Sequence, residues 1–416
     1  MKIKTWIGMA SLLAVTLMVA ASVQARTWTS ADGAKTFEGE LKSYDPATGM
    51  VGVTMSTGKE MSFTQDKLSA ADIAFLKEQG KTDAPASNTT AIGKIDADPK
   101  ALFKKHDGKP ADMSKPVQVF ILLGQSNMVG MGRITGGEGS LENAVKTKNK
   151  YSYLVDDAGA WIERKDVRFV RYMSGQGPLN NEWMGIKGGT IGPEYGIGHA
   201  VGNAIAAPVM ILKCCIGNRS LGWDYLPPGS ERFEEGDKVY AGYKDSPDSW
   251  PKGTEPKPIG WYAGKQYDDD TADAKKVLAD LGTHYPDATK YEVAGFLFWQ
   301  GEKDGGDAVH AARYEQNLVA FIKALRKDFN APNAKFVLAT MGEATKGSGN
   351  KVMEGQLAVD GKEGKHPEFK GNVATVYSNP LSLGGSGNGH YGGNAETYMN
   401  VGEAMGGAMV ELLKNK

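Results

Sequence analysis

Five apolar stretches constrain this chain most. Residues 117–123, 208–215, 293–299, 335–340 and 372–377 are mostly unbroken hydrophobic runs of strand length. A strand with one wet face alternates in polarity, so runs of this kind predict strands covered on both faces. Between them lie amphipathic patterns over residues 195–205, 271–281, 311–328 and 395–413, which predict helices. Strands alternating with helices imply a parallel sheet with helices on both faces, and ligands of such sheets bind beyond the carboxyl ends of the strands.

The 416 residues carry 48 Lys and Arg against 49 Asp and Glu, a formal net charge of −1. That balance argues against a nucleic-acid binder, which needs excess cations to displace phosphate counterions. At 41% hydrophobic the chain has enough apolar material for a large core. No segment repeats.

The first 25 residues read as a leader. Lys2 and Lys4 precede an apolar run over residues 7–21, and Val23-Gln24-Ala25 supplies a small-x-small cleavage signal. The run is short of the ~20 apolar residues that span a bilayer. A cleaved secretory signal is expected, with Arg26 as the new N-terminus and a secreted or periplasmic product without a membrane span. No cysteine follows the run to accept a lipid.

Residues 26–79 predict a small β module. Segments 35–44, 50–56 and 60–64 alternate in polarity between turn signals, and a helix capped by Ser69 follows, to about Gln79. Residues 80–116 are rich in Lys, Asp, Ala, Pro and Thr and predict a linker, with a short helix near 98–106. Cys214 and Cys215 are the only cysteines. Adjacent residues sit too close for relaxed disulfide geometry, so two buried thiols are expected. No CxxC or HExxH spacing supports a zinc site, and no metal or organic cofactor is expected.

The first apolar run of the large region ends in Gly124-Gln125-Ser126-Asn127-Met128. A serine in a glycine-flanked turn at a strand's carboxyl end is where an α/β enzyme presents a nucleophile, although the same pattern also serves as a turn or helix cap. The run and turn over residues 119–128 resemble the first block of the SGNH-hydrolase superfamily, in its sialate O-acetylesterase and acetylxylan esterase branch, carbohydrate esterase family six. Gly192-Pro193-Glu194-Tyr195-Gly196, Gly217-Asn218-Arg219-Ser220-Leu221 and Trp299-Gln300-Gly301-Glu302-Lys303-Asp304 resemble its further blocks in the expected order. The resemblance spans residues 117–412 and implies a three-layer, flavodoxin-like parallel sheet. The N-terminal residues Arg26-Thr27-Trp28-Thr29, Gly58-Lys59-Glu60 and Leu68-Ser69 with Asp72 resemble small SH3-like barrels of secreted bacterial proteins, which implies a tether to cell wall or a partner protein.

The resemblance implies a secreted serine esterase that removes O-acetyl groups from carbohydrate through an acetyl-Ser126 intermediate. Serine at its own pKa is a poor nucleophile and needs a base. Of the six histidines, His390 lies just before the last helical pattern, where this superfamily carries that base. The superfamily's usual acid stands three residues earlier, and here that position is Gly387. Glu302 is then the first candidate for the orienting acid, Asp304 the second or a loop anchor, and a Ser-His dyad the third option. The implied oxyanion hole joins the Ser126 N–H, the Gly217 N–H and the Gln300 side chain. Candidate substrate contacts are Gln125, Asn127, Asn218, Arg219 and Trp223. Arg219 has the planar fork to grip a sugar carboxylate, or serves a structural ion pair. Aromatics over residues 221–270 either stack on sugars or pack their own loop. Asp268-Asp269-Asp270 reads as a solvated helix start at Thr271. A non-catalytic carbohydrate-binding or envelope protein on a hydrolase scaffold is the alternative that Gly387 keeps open.

Overall fold

The computed structural model describes residues 26–45, 49–55, 57–82, 99–173 and 177–414. The expected leader, and residues 83–98 of the expected linker, lie outside them. The chain divides into two units, residues 1–87 and 88–416.

In the first unit, β1 (Arg26–Thr29), β2 (Thr36–Asp45), β3 (Met50–Met55) and β4 (Glu60–Thr64) form an antiparallel sheet in the order β1-β2-β3-β4. Helix α1 (Ala70–Thr82) follows, capped by Ser69, whose hydroxyl accepts the Asp72 N–H at 3.2 Å. Asp72 is buried, and its carboxylate accepts the Thr29 N–H and the Ser69 hydroxyl, each at 2.8 Å. This ties the start of the helix to the first strand. Trp28, Val51, Val53, Leu68 and Leu76 form the core of the unit, and the Trp28 indole donates to the Gly39 carbonyl at 3.0 Å.

The second unit is built on a seven-stranded sheet. Its strands are β5 (Val117–Gly124), β6 (Glu163–Met173), β7 (Gly177–Gly185), β8 (Val209–Cys214), β9 (Tyr291–Trp299), β10 (Lys335–Ala339) and β11 (Val373–Val376). The spatial order is β11-β10-β9-β5-β8-β6-β7. Every neighbouring pair is parallel except β6 with β7. Leaving out β6 and β7, this is the 2-1-3-4-5 order of a flavodoxin-like sheet, whose order reverses between its first and third strands. Here those strands are β5 and β9.

Both faces of the sheet are covered. Phe120 and Leu122 point into one core with helices α3 (Glu194–Ala204) and α7 (Ala395–Lys414). Val119, Ile121 and Leu123 point into the other, against α4 (Lys265–Ala279) and α6 (Tyr314–Asp328). Adjacent residues thus feed opposite cores, which is why the run contains no polar alternation. Phe321 of α6 packs its ring among those of Tyr225, Tyr267, Phe298 and Phe336. Phe321→Ala at that point costs about 3–5 kcal/mol by loss of burial and cavity formation.

The five expected strands are present within one or two residues at each end. The hairpin of β6 and β7 was not expected, because charges interrupt its apolar pattern. Arg164, Asp166 and Arg168 are nonetheless buried there. Arg164 forms a two-pronged pair with Asp166, at 2.9 and 2.5 Å, and Arg168 donates to the His284 carbonyl at 2.9 Å.

Residues 99–116 depart from the linker expectation. Leu102 is buried in the α/β core, the Asn203 amide donates to the Leu102 and Lys104 carbonyls at 2.9 and 3.0 Å, and His106 lies 3.3 Å from Asp166. Helix α4 begins at Lys265, six residues before the expected start, so Asp268 and Asp270 are not a solvated cap. Asp270 is fully buried, and Asp268 accepts the hydroxyl of Tyr262 at 2.9 Å. The helix expected over 311–328 is broken, with a short turn at Ala308–Ala312 preceding α6. Cys214 and Cys215 are free and buried as expected, and burial pushes the Cys215 thiol up to about 12. Among the described residues, no helix is long and apolar enough to cross a membrane.

Candidate active site

The ladder pairs Trp299 of β9 with Gly124 of β5, so both strands end at one level and their loops leave side by side. Gly124 has φ +143, and a Cβ there would lie 2.5 Å from the Trp299 carbonyl oxygen. Only glycine permits this approach. The Gly124 N–H donates at 3.4 Å to the Tyr225 hydroxyl, which itself donates to the buried Asp270 carboxylate. A deep polar prop from α4 thereby fixes the residue from which the chain turns.

Ser126 opens a short helix, α2 (Ser126–Val129), directly after that turn. As the first helical residue it has no intrahelical acceptor for its N–H, which is left facing the loop cluster. The far end of α2 is pinned by the buried Lys213, whose ammonium donates to the Val129 carbonyl at 2.9 Å and to Glu194 at 2.6 Å. Glu194 also accepts the Gly192 N–H at 3.0 Å. The Gly-Pro-Glu block is therefore scaffold: its carboxylate neutralises the lysine that anchors the serine helix.

Gly217 stands beside the serine. A Cβ on it would lie 3.6 Å from the Ser126 Cβ, and among the described residues no hydrogen bond uses the Gly217 N–H. The Ser126 and Gly217 backbones thus stand side by side beyond the strand ends.

Glu302 begins helix α5 (Glu302–Gly305) after β9. Its Oε2 lies 3.4 Å from the Gln125 amide nitrogen, which places the carboxylate against the residue preceding Ser126. Burial pushes the Glu302 carboxyl above its usual range, the charge of Glu343 pushes it further, and His390 pulls it partly back. His390 and two glutamates therefore share one electrostatic neighbourhood. Glu302 and Glu343 line a cleft of about 280 Å³ together with Gly301, Met341 and Val352.

His390 is half-buried and has φ +50, followed by Tyr391 at φ +53. Consecutive left-handed residues other than glycine are strained, and such strain persists only where surrounding contacts hold it. Here the His390 N–H donates to the Gly387 carbonyl and the Tyr391 N–H to the Ser386 carbonyl, each at 2.9 Å. The other histidines are engaged elsewhere: His310 with Asp248 at 3.1 Å, His366 with Glu315 at 3.0 Å, His106 with Asp166, His199 beside Arg164, and His284 in a buried corner behind the sheet.

Several expected roles change. Asp304 is fully buried, and its carboxylate accepts the N–H groups of Leu221 and Gly222 at 2.8 and 2.7 Å and the Gln300 amide at 2.6 Å. It is the loop anchor, not an acid beside His390. Gln300 is equally committed, since its Nε2 also donates to the Arg219 carbonyl at 2.8 Å and its Oε1 accepts the Tyr314 hydroxyl at 2.9 Å. Both amide hydrogens are spent, so Gln300 holds the oxyanion loop in place and does not serve as a donor to substrate.

Gln125 and Asn127 are buried, as is Trp223, which packs with Leu226, Ala241, Trp250 and Ala263 inside the long loop. Asn218 is exposed. Arg219 is half-exposed, donates to Gln266 at 2.9 Å and lies over the Trp261 ring at 4.6 Å. Among the described residues it has no carboxylate partner, so the structural ion pair is absent.

Residues 116–411 match the family model described as carbohydrate esterase, sialic acid-specific acetylesterase. The chain belongs to this family. It is a carbohydrate O-acetylesterase.

No curated protein matches the chain. Eight solved chains do. A protein from Arabidopsis thaliana is 20% identical with a TM-score of 0.42, over 72% of this chain and 99% of that one. NanS is 14% identical with a TM-score of 0.31, over 56% and 69%. A carbohydrate acetylesterase from Xanthomonas citri is 13% identical with a TM-score of 0.34, over 70% and 54%. The family assignment rests on the family model. Glu343 is the one site residue that the sequence left unnoticed, since it lies in a polar loop with no motif around it.

Proposed function

We propose that this esterase is secreted and removes O-acetyl groups from acidic sugars of the sialic acid type, through an acetyl-Ser126 intermediate. The observation that carries the reading is the placement of Ser126 at the head of a helix at the sheet's reversal point, with the Gly217 backbone beside it. The Ser126 hydroxyl attacks the acetyl carbonyl as His390 takes its proton, and the N–H groups of Ser126 and Gly217 receive the oxyanion. His390 then gives the proton to the departing sugar oxygen. Water, deprotonated by the same imidazole, cleaves the acyl-serine and releases acetate. Glu302 stabilises the imidazolium that forms in both halves.

Arg219, unpaired with any described carboxylate and backed by Trp261, supports recognition of a sugar carboxylate at the rim. A guanidinium half out of water grips such a group in two parallel hydrogen bonds. The N-terminal module, of SH3-like type in this reading, tethers the enzyme to cell wall or a protein partner.

The test is acetate release by the purified chain from a generic acetyl ester, O-acetylated sialic acids, acetylated xylan and neutral acetyl sugars, beside Ser126→Ala. Release that requires Ser126 and favours the acidic sugars is expected, with Arg219→Ala raising KM for those sugars alone. Ser126→Ala at the wild-type rate overturns the nucleophile; equal rates on acidic and neutral sugars overturn the substrate class.

A further inference from the structure

The position three residues before His390 lacks a side chain, yet the space it would occupy is not empty. Gly387 is buried, and its N–H donates to Glu343 Oε2 at 2.9 Å. A Cβ built on Gly387 would lie 3.0 Å from that same oxygen. The Met341 methyl carbon at 2.6 Å and the Asn127 amide nitrogen at 3.1 Å also stand close. The Asn127 amide is buried with no hydrogen-bond partner, so a polar surface without a partner of its own lies beside the carboxylate. Glu343 reaches this point from the loop after β10, a different element from the one that carries His390.

We propose that Glu343 is the carboxylate that positions His390, standing where an acid side chain at position 387 would stand. This rests on the Ser126 and His390 reading above. The linkage runs through one residue: Glu343 accepts from the Gly387 N–H, and the Gly387 carbonyl accepts from the His390 N–H at 2.9 Å. Holding Gly387 holds the strained turn, and with it the direction of the imidazole. Glu343 and His390 both act on the Glu302 carboxyl, so the three groups share one electrostatic neighbourhood. The titratable groups of this neighbourhood are Glu302 on α5, Glu343 after β10, His390 itself and the Tyr391 hydroxyl, which accepts the Gly342 N–H at 3.1 Å. An acid at position 387 and Glu343 exclude one another, because the two carboxylates would crowd like charges into one contact.

That exclusion supplies a rescue experiment. The pH dependence of kcat and kcat/KM on 4-nitrophenyl acetate is measured for the full chain, Glu343→Ala, Glu343→Gln, and Glu343→Ala combined with Gly387→Asp. Gly387 is outside the left-handed region, so aspartate fits its backbone; Glu343→Ala clears the carboxylate, and the end of the flexible Met341 side chain, 2.6 Å from the new Cβ, must shift aside. Glu343→Ala is expected to lower kcat roughly 10- to 100-fold, within the range of general-base catalysis, with little change in KM. Glu343→Gln retains an acceptor for Gly387 and is expected to keep more of the rate than Glu343→Ala. The double variant is expected to recover at least about tenfold in kcat over Glu343→Ala.

A Glu343→Ala enzyme with wild-type kcat overturns the proposal, as does a folded double variant no better than Glu343→Ala. A wild-type enzyme whose turnover does not need Ser126 removes the parent reading instead, which the Ser126→Ala control reports separately.

Discussion

The Asp304 carboxylate accepts the Leu221 backbone N–H at 2.8 Å, joining the helix after β9 to the loop after β8. The adjacent Gly222 N–H and the Gln300 amide converge on the same group. Although burial pushes the Asp304 carboxyl above its usual range, its three donors favour the ionised form and offset that cost. Removing the side chain leaves buried donors unpaired. Asp304→Ala is expected to cost about 3–5 kcal/mol, seen as a fall in Tm, and to lower kcat/KM as the Gly217 loop loosens. An unchanged Tm would contradict the clamp.

Gly217 is the most economical probe of the serine's surroundings. An added methyl would make ordinary contact with the Ser126 Cβ at 3.6 Å, so no fold cost is expected. The methyl intrudes where an acyl group must sit. Gly217→Ala is expected to keep Tm within about 2 °C while lowering acetyl-ester turnover roughly tenfold, an order of magnitude smaller than loss of an oxyanion donor. Butyryl esters should suffer more than acetyl esters; equal loss on both would argue against this placement.

Glu302 separates stability from catalysis. Its folded-state pKa is raised, so the native state binds the proton more tightly than the unfolded chain does. The resulting stability is present below the unfolded value near 4.5 and is lost as pH rises through the folded value. At pH 7 the ionised carboxylate is thus retained at a cost. Glu302→Gln is expected to raise Tm at pH 7 and to leave it nearly unchanged at pH 4. The same variant is expected to lose roughly 100-fold in kcat, because the neutral amide cannot stabilise the imidazolium.

His310 provides a second pH signature. Burial opposes its charge, but Asp248, Asp304 and Asp307 outweigh burial and raise its pKa above 6.5. For a raised histidine the contribution is full below the unfolded value and disappears as pH climbs through the folded value. The Tm difference between wild type and Asp248→Asn should therefore be largest near pH 5.5 and vanish by pH 9. A difference independent of pH would point to packing alone.

Much of this molecule was legible in its sequence. The five doubly buried strands announced themselves because a strand covered on both faces contains no polar alternation, and Ser126 was found because it ends the first of them. Ser69 as a helix cap was legible for the same local reason: one side-chain oxygen satisfies an N–H three residues on. The hairpin of β6 and β7 was hidden because Arg164 and Arg168 are buried by partners, Asp166 and the His284 carbonyl, that no local pattern predicts.

The roles of polar groups were decided by tertiary structure. Gln300, Asp304 and Glu302 lie within five consecutive residues, yet the first two are consumed by Arg219, Leu221, Gly222 and Tyr314 while Glu302 alone turns toward Gln125 and the cleft. Gly387 read as a missing acid because sequence shows only what a residue carries, and the carboxylate beside it arrives from Glu343, 44 positions away. Strand and helix patterns follow from short-range periodicity and survive in one dimension. A hydrogen bond or charge between distant loops depends on how those patterns pack, and that is settled only when the sheet closes its strand ends around one site.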